Sequence, residues 1–145
     1  MSINWVQDIA EMHKQFGVNE VVSKFDDDKL KKFLEFRIGC LQEELDELKE
    51  AKSGDDAVDA LIDLVVFAIG TLDTYGVDLY DAWDKVLYAN LAKEVGIKKG
   101  RPNPWGLPDL LKPTMETHGY DWVAPTHADN VGLFAKVYLP LKSED

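Results

Sequence analysis

Gln42-Glu43-Glu44-Leu45-Asp46-Glu47-Leu48 and, one short loop later, Asp59-Ala60-Leu61-Ile62-Asp63 decide how this chain folds. The first segment carries glutamates in an E-E-x-x-E pattern. The second sets two aspartates four residues apart inside an apolar run. On an α-helix, spacings of three and four place side chains on one face. Glu44 therefore projects with Glu47, Glu43 with Glu47, and Asp59 with Asp63. Packed antiparallel, two such helices bring four or five carboxylates into a small volume. Unit charges ~4 Å apart repel by ~4 kcal/mol at an effective dielectric of ~20, so something must cancel them. A hard divalent cation is the expected neutraliser, and oxygen-only ligation suits Mg²⁺ or Mn²⁺ rather than zinc.

Periodicity extends the reading outward. Leu30, Leu34, Ile38, Leu41, Leu45 and Leu48 predict an apolar stripe on a helix over about 28–52, opened by the acids Asp26, Asp27 and Asp28. Phe33, Phe36 and Cys40 continue its acidic face one to two turns earlier. Arg37, between the two phenylalanines, is placed to reach a carboxylate or a phosphate. Ser53-Gly54 breaks this helix, and the next runs over about 55–75. Between Ala57 and Leu72 it is apolar on nearly every side, the pattern of a buried helix. Asp59 and Asp63 are anomalous there, because carboxylates are seldom buried without a partner. No lysine or arginine occurs between Lys52 and Lys85 to serve them.

Before these segments, Trp5, Val6, Ile9, Met12 (or His13) and Phe16 predict a helix N-capped by Ser2 and stopped by Gly17, followed by a turn through residues 19–25. After them, a fourth helix is expected over about 79–95, capped by Asp78 and closed by Gly96. Lys98-Lys99-Gly100-Arg101-Pro102-Asn103-Pro104-Trp105-Gly106 then concentrates cations in a loop. One more turn is expected over 108–111, and a short strand over 134–139. The expected fold is all-α, a bundle of four to five helices, oligomeric through apolar helix faces. Residues 1–113 form the domain and 114–145 an irregular C-terminal extension.

Composition narrows the function. A net charge of −11 opposes a nucleic-acid partner, since phosphate backbones need a basic surface. It is compatible with a nucleotide substrate that arrives with its own metal. Cys40 is the single cysteine, which fits a reducing compartment. No cationic-apolar leader opens the chain, and the longest apolar run, 64–70, falls far short of the ~20 residues a membrane span needs. A soluble, cytoplasmic protein with no membrane partner is expected.

The combination of motifs resembles the all-α nucleoside triphosphate pyrophosphohydrolases, a superfamily that includes MazG-type enzymes, dimeric dUTPases and phosphoribosyl-ATP pyrophosphohydrolase. The run Asp59 to Thr71 is similar to the MazG-like branch, as are Asn90-Leu91-Ala92-Lys93, Gly100-Arg101 and Pro108-Asp109-Leu110. The resemblance covers about residues 1–113. It implies that Glu44, Glu47 and Asp63 are metal ligands, and that Glu43 is a ligand or a water-orienting base. The usual pattern has an acid three residues before the last aspartate. Here that position is Ala60, and Asp59 sits four before, so Asp59 joins the metal set on weaker ground. Asn90 and Lys93 match phosphate-contacting residues, and Lys98, Lys99 and Arg101 extend that edge. Homodimers or homotetramers are implied.

The implied reaction is attack of water on the α-phosphate of a nucleoside triphosphate, with pyrophosphate leaving. Glu43 or Glu44 is the candidate base, and Trp5, His13 and Phe16 are the candidates for base recognition. A carboxylate-bridged di-iron bundle is set aside, because none of the three histidines follows a glutamate by three. The other alternative is a non-catalytic acidic helical module for dimerisation or regulation.

Overall fold

A computed structural model describes residues 3–101, 105–106 and 109–138. The chain divides into two compact units, one built from the residues up to Leu79 together with those from Asp129 on, the other spanning Tyr80–Ala128.

The first unit is helical. α1 (Trp5–Phe16) is capped by Asn4, whose side chain accepts from the Gln7 amide, not by Ser2, which lies outside the described residues. Gly17 ends it at φ 69°, a backbone setting that suits a residue without a Cβ. The expected turn over 19–25 is largely a short helix, α2 (Val18–Val22). α3 (Asp27–Glu50) begins at Asp26, whose carboxylate accepts from the Lys29 amide. α4 (Gly54–Thr74) begins at Ser53, whose hydroxyl accepts from the Asp56 amide. α3 and α4 form the main helix–helix seam, and α1 packs on α4. Val22, Leu30 and Tyr75 make the core, flanked by Phe25, Phe33, Leu133, Phe134 and Val137. Tyr75 is fully buried, and its hydroxyl donates to the Leu30 carbonyl at 2.5 Å.

Residues 129–138 return to this core. Phe134 stacks on Tyr75 with ring centroids 4.2 Å apart, and the Leu133 amide donates to the Tyr75 carbonyl at 2.7 Å. Asn130 closes the return with a reciprocal pair, donating to the Asp78 carbonyl and accepting from the Asp78 amide. The strand expected over 134–139 is instead a 3₁₀ turn, Gly132–Lys136, with Leu139 outside the described residues.

In the second unit, α5 (Leu79–Leu91) is shorter than expected. Its predicted end is β1 (Glu94–Gly96), paired antiparallel with β2 (Asp109–Leu111), where one helical turn was expected. Gly96 therefore lies in a strand and closes no helix. Trp122 donates its indole N–H to the Ala89 carbonyl at 2.6 Å, and a four-residue helix, α6 (Met115–His118), is held by a Thr114–Thr117 capping box.

Two burial expectations are corrected. The inward face of α3 keeps only part of the leucine line: Leu30 is buried and Leu34, Leu41 and Leu48 are half-buried, but Ile38 and Leu45 are exposed, and Arg37 and Glu44 are buried in their place. α4 is not covered on all sides, since Val58, Leu61 and Ile62 are exposed.

Candidate active site

The acids meet in the α3–α4 seam. Glu44 is 8% exposed, and its Oε1 is buried without a hydrogen-bond partner. Its carboxyl and that of Glu47 are placed to share a proton in a hydrogen bond. That bond, followed by burial and by the charges of Glu47, Asp63 and Asp59, pushes the Glu44 pKa up to about 7. Of the sequence candidates, the fold therefore brings Glu44, Glu47, Asp59 and Asp63 within electrostatic range of one another. They are not equally sunk: Asp63 is half-buried, and Glu43, Glu47 and Asp59 are exposed. The expectation that the aspartates lie among apolar neighbours holds only for Asp63.

An open groove of about 240 Å³ runs beside them, lined by Glu47, Glu50, Ala51, Asp56, Asp59 and Ala60. Glu50 and Asp56 were not among the candidates. Their signal was present in the sequence, because Glu47 and Glu50 are three apart, as are Asp56 and Asp59. Among the described residues no three histidine, cysteine, aspartate or glutamate side chains form a ready-made metal cage. The donor set fits a hard cation nonetheless. It consists of carboxylates alone, and Glu44 keeps a buried oxygen that nothing among the described residues satisfies.

One turn before Glu44, the Cys40 thiol is pushed up by burial and then by the charge of Glu43. Such a thiol is a poor nucleophile at neutral pH.

The candidates for base recognition differ in burial. His13 is buried, its Nδ1 2.8 Å from Asp73 Oδ2, and Asn19 donates to the same oxygen at 3.0 Å. Phe16 is exposed. Trp5 lines an apolar groove of about 220 Å³ with Ile9, Ile62, Val65, Val66 and Ile69, to which neither His13 nor Phe16 contributes.

The phosphate-contact candidates belong to the second unit. Arg101 is paired with the buried Asp109 at 2.9 Å, and the Lys93 ammonium lies 5.2 Å from the Trp122 ring centroid. Both cations thus have partners inside their own unit. Asn90 and Lys99 are exposed and Lys98 is half-buried, while Pro102, Asn103 and Pro104 lie outside the described residues.

Comparison with known families gives a match to the model for phosphoribosyl-ATP pyrophosphohydrolase over residues 10–90. The chain belongs to the phosphoribosyl-ATP pyrophosphohydrolase family. This family sits in the MazG-like all-α nucleoside triphosphate pyrophosphatase superfamily, as the motifs had implied. The matched span holds all four carboxylates of the seam. Membership assigns the chain to enzymes that hydrolyse a pyrophosphate bond in a nucleotide. No curated protein and no solved structure matches the chain.

Proposed function

We propose that the protein hydrolyses nucleoside and deoxynucleoside triphosphates to the monophosphate and pyrophosphate in a Mg²⁺-dependent reaction. The observation that carries this reading is Glu44: a buried carboxyl with an orphaned oxygen, facing Glu47, Asp59 and Asp63 in a chain of pyrophosphohydrolase descent. These four carboxylates would hold Mg²⁺, or Mn²⁺, whose charge polarises phosphate oxygens. Glu43, exposed and one residue from the seam, orients the attacking water and takes its proton, with Glu44 as the other base. Water attacks the α-phosphorus, its bond to the bridging oxygen breaks, and pyrophosphate departs.

A second substrate, phosphoribosyl-ATP, is favoured by the description of the matching family and requires the same bond cleavage. The two readings are separated by one panel: every NTP and dNTP, and phosphoribosyl-ATP, each with Mg²⁺, assayed for monophosphate and pyrophosphate. Turnover of phosphoribosyl-ATP alone selects the second. Orthophosphate as the sole inorganic product overturns both, and no turnover with no Mg²⁺-dependent stabilisation leaves the acidic regulatory module.

The exposed Val58, Leu61 and Ile62 of α4 support association of copies, a homodimer or homotetramer, through this helix. The acidic surface and single cysteine fit a cytoplasmic protein with no nucleic-acid partner, and no helix among the described residues is long and apolar enough to cross a membrane.

A further inference from the structure

Arg37 is a buried cation with no anion among the described residues. It is 9% exposed, its Nε is buried without a hydrogen-bond partner, and none of the ion pairs among the described residues includes it. Its guanidinium lies against two aromatic faces, 5.3 Å from the Phe33 centroid and 5.7 Å from that of Phe67. Gly70 lies beside it. A Cβ there would stand 3.5 Å from Arg37 Nη1 and 3.3 Å from the imidazole of His13, which Asp73 holds in place. Burial pulls its pKa below the ordinary guanidinium value, and the Cys40 thiol and Tyr75 phenol near it, both pushed up in pKa, carry no charge at neutral pH to offset this.

Stacking does not satisfy the five in-plane N–H donors of a guanidinium, and an unpaired buried charge costs several kcal/mol. A guanidinium fixed against rings presents those donors in a planar fork that matches phosphate. Its place along α3 gives the fork a target. Arg37 and Glu44 are seven residues apart, two turns on one face and about 10 Å along the axis. Each has one buried polar atom that the chain leaves unsatisfied, Nε on one and Oε1 on the other. The seam therefore offers a cation at one end and acids at the other, the polarity that a polyphosphate travelling with its own divalent cation requires.

We propose that Arg37 binds a phosphate of the substrate in the α3–α4 seam, as the anion-holding counterpart of the carboxylates. This rests on the nucleotide reading above and adds a binding residue to it. The first outcome to exclude is a carboxylate from a second copy of the chain as the occupant.

The test is calorimetric titration of inorganic tripolyphosphate in Mg²⁺ buffer into the full chain, Arg37→Met and Arg37→Lys, with melting temperature and sedimentation mass recorded for each. Loss of charge-assisted hydrogen bonds predicts affinity about 10–100-fold weaker in Arg37→Met. Arg37→Lys, which keeps the charge but loses the fork, should lie about tenfold below the full chain. Without ligand, Arg37→Met should melt no lower than the unaltered chain, because an unpaired charge is replaced at similar volume. Mg²⁺ binding alone should be unchanged in both. Unaltered tripolyphosphate affinity in either variant overturns the proposal, as does a lower melting temperature for ligand-free Arg37→Met, the mark of a structural role. A fall in sedimentation mass assigns the guanidinium to a second copy and also overturns it. If the unaltered chain binds tripolyphosphate through Arg37 yet cleaves no nucleotide, the nucleotide reading falls and the anion site stands.

Discussion

Glu44 concentrates what the seam can do. A carboxyl that titrates near 7 when folded, against 4.5 as the ordinary value, holds its proton where the unfolded chain has lost it. Its contribution to stability is complete below about pH 4.5 and is lost as pH rises through about 7. Metal binding must expel that proton, so the cation's stabilising effect should grow over the same interval. The expected outcome is that in EDTA the melting temperature falls from pH 5 to pH 7.5, while millimolar Mg²⁺ raises it more at pH 7.5 than at pH 5.5. Glu44→Gln should flatten both trends, as read by calorimetry across that range. Asp63→Asn and Glu47→Gln are expected to abolish pyrophosphate release while leaving helical circular dichroism intact; collapse of the helical signal would mark both as structural. The pairing of these acids was legible from i, i+3 and i, i+4 spacing alone. Which of them would be buried was not, because Glu44 borders a leucine stripe on the wheel and only the partner helix decides where the stripe ends.

At the scale of elements, α3 and α4 were readable from periodicity and from the acids that open them; Asp26 caps the first as its residue type dictates, while Ser53, read as a breaker, caps the second. β1 and β2 were not. Three-residue strands are too short for a period-two signal, and their pairing partner lies 13 or more residues away in sequence. The 3₁₀ turn Gly132–Lys136 reads as strand in the sequence because Phe134 and Val137 are apolar in either conformation. Its first residue carries a strong constraint. Gly132 has φ 52°, and a Cβ there would stand 2.1 Å from the Tyr75 carbonyl oxygen. Gly132→Ala is therefore expected to cost about 2–3 kcal/mol, since neither the backbone setting nor the backbone neighbour can yield cheaply. Urea denaturation would register this as a lower midpoint at unchanged slope. An unaltered midpoint would show that residues 129–138 do not hold the first unit together.

For the whole molecule, the apolar sequence of α4 reads as a buried helix, but the described residues cover only part of it. Val58, Leu61 and Ile62 remain exposed at 61%, 49% and 45%. If a second copy covers them, Val58→Lys with Leu61→Lys should lower the sedimentation mass to that of one chain while the far-ultraviolet spectrum persists. An unchanged mass would place the subunit contact elsewhere. Tyr75 and Phe134 have a different consequence, one of timing. The first unit is interrupted in sequence: its helices are complete at Leu79, yet the ring that closes over Tyr75 belongs to residue 134. During synthesis the ribosome must therefore deliver the whole intervening stretch before that core can be sealed. Until then the nascent helices are exposed to proteases and chaperones, and a message cut short after Ala128 would yield a chain missing the piece that locks it.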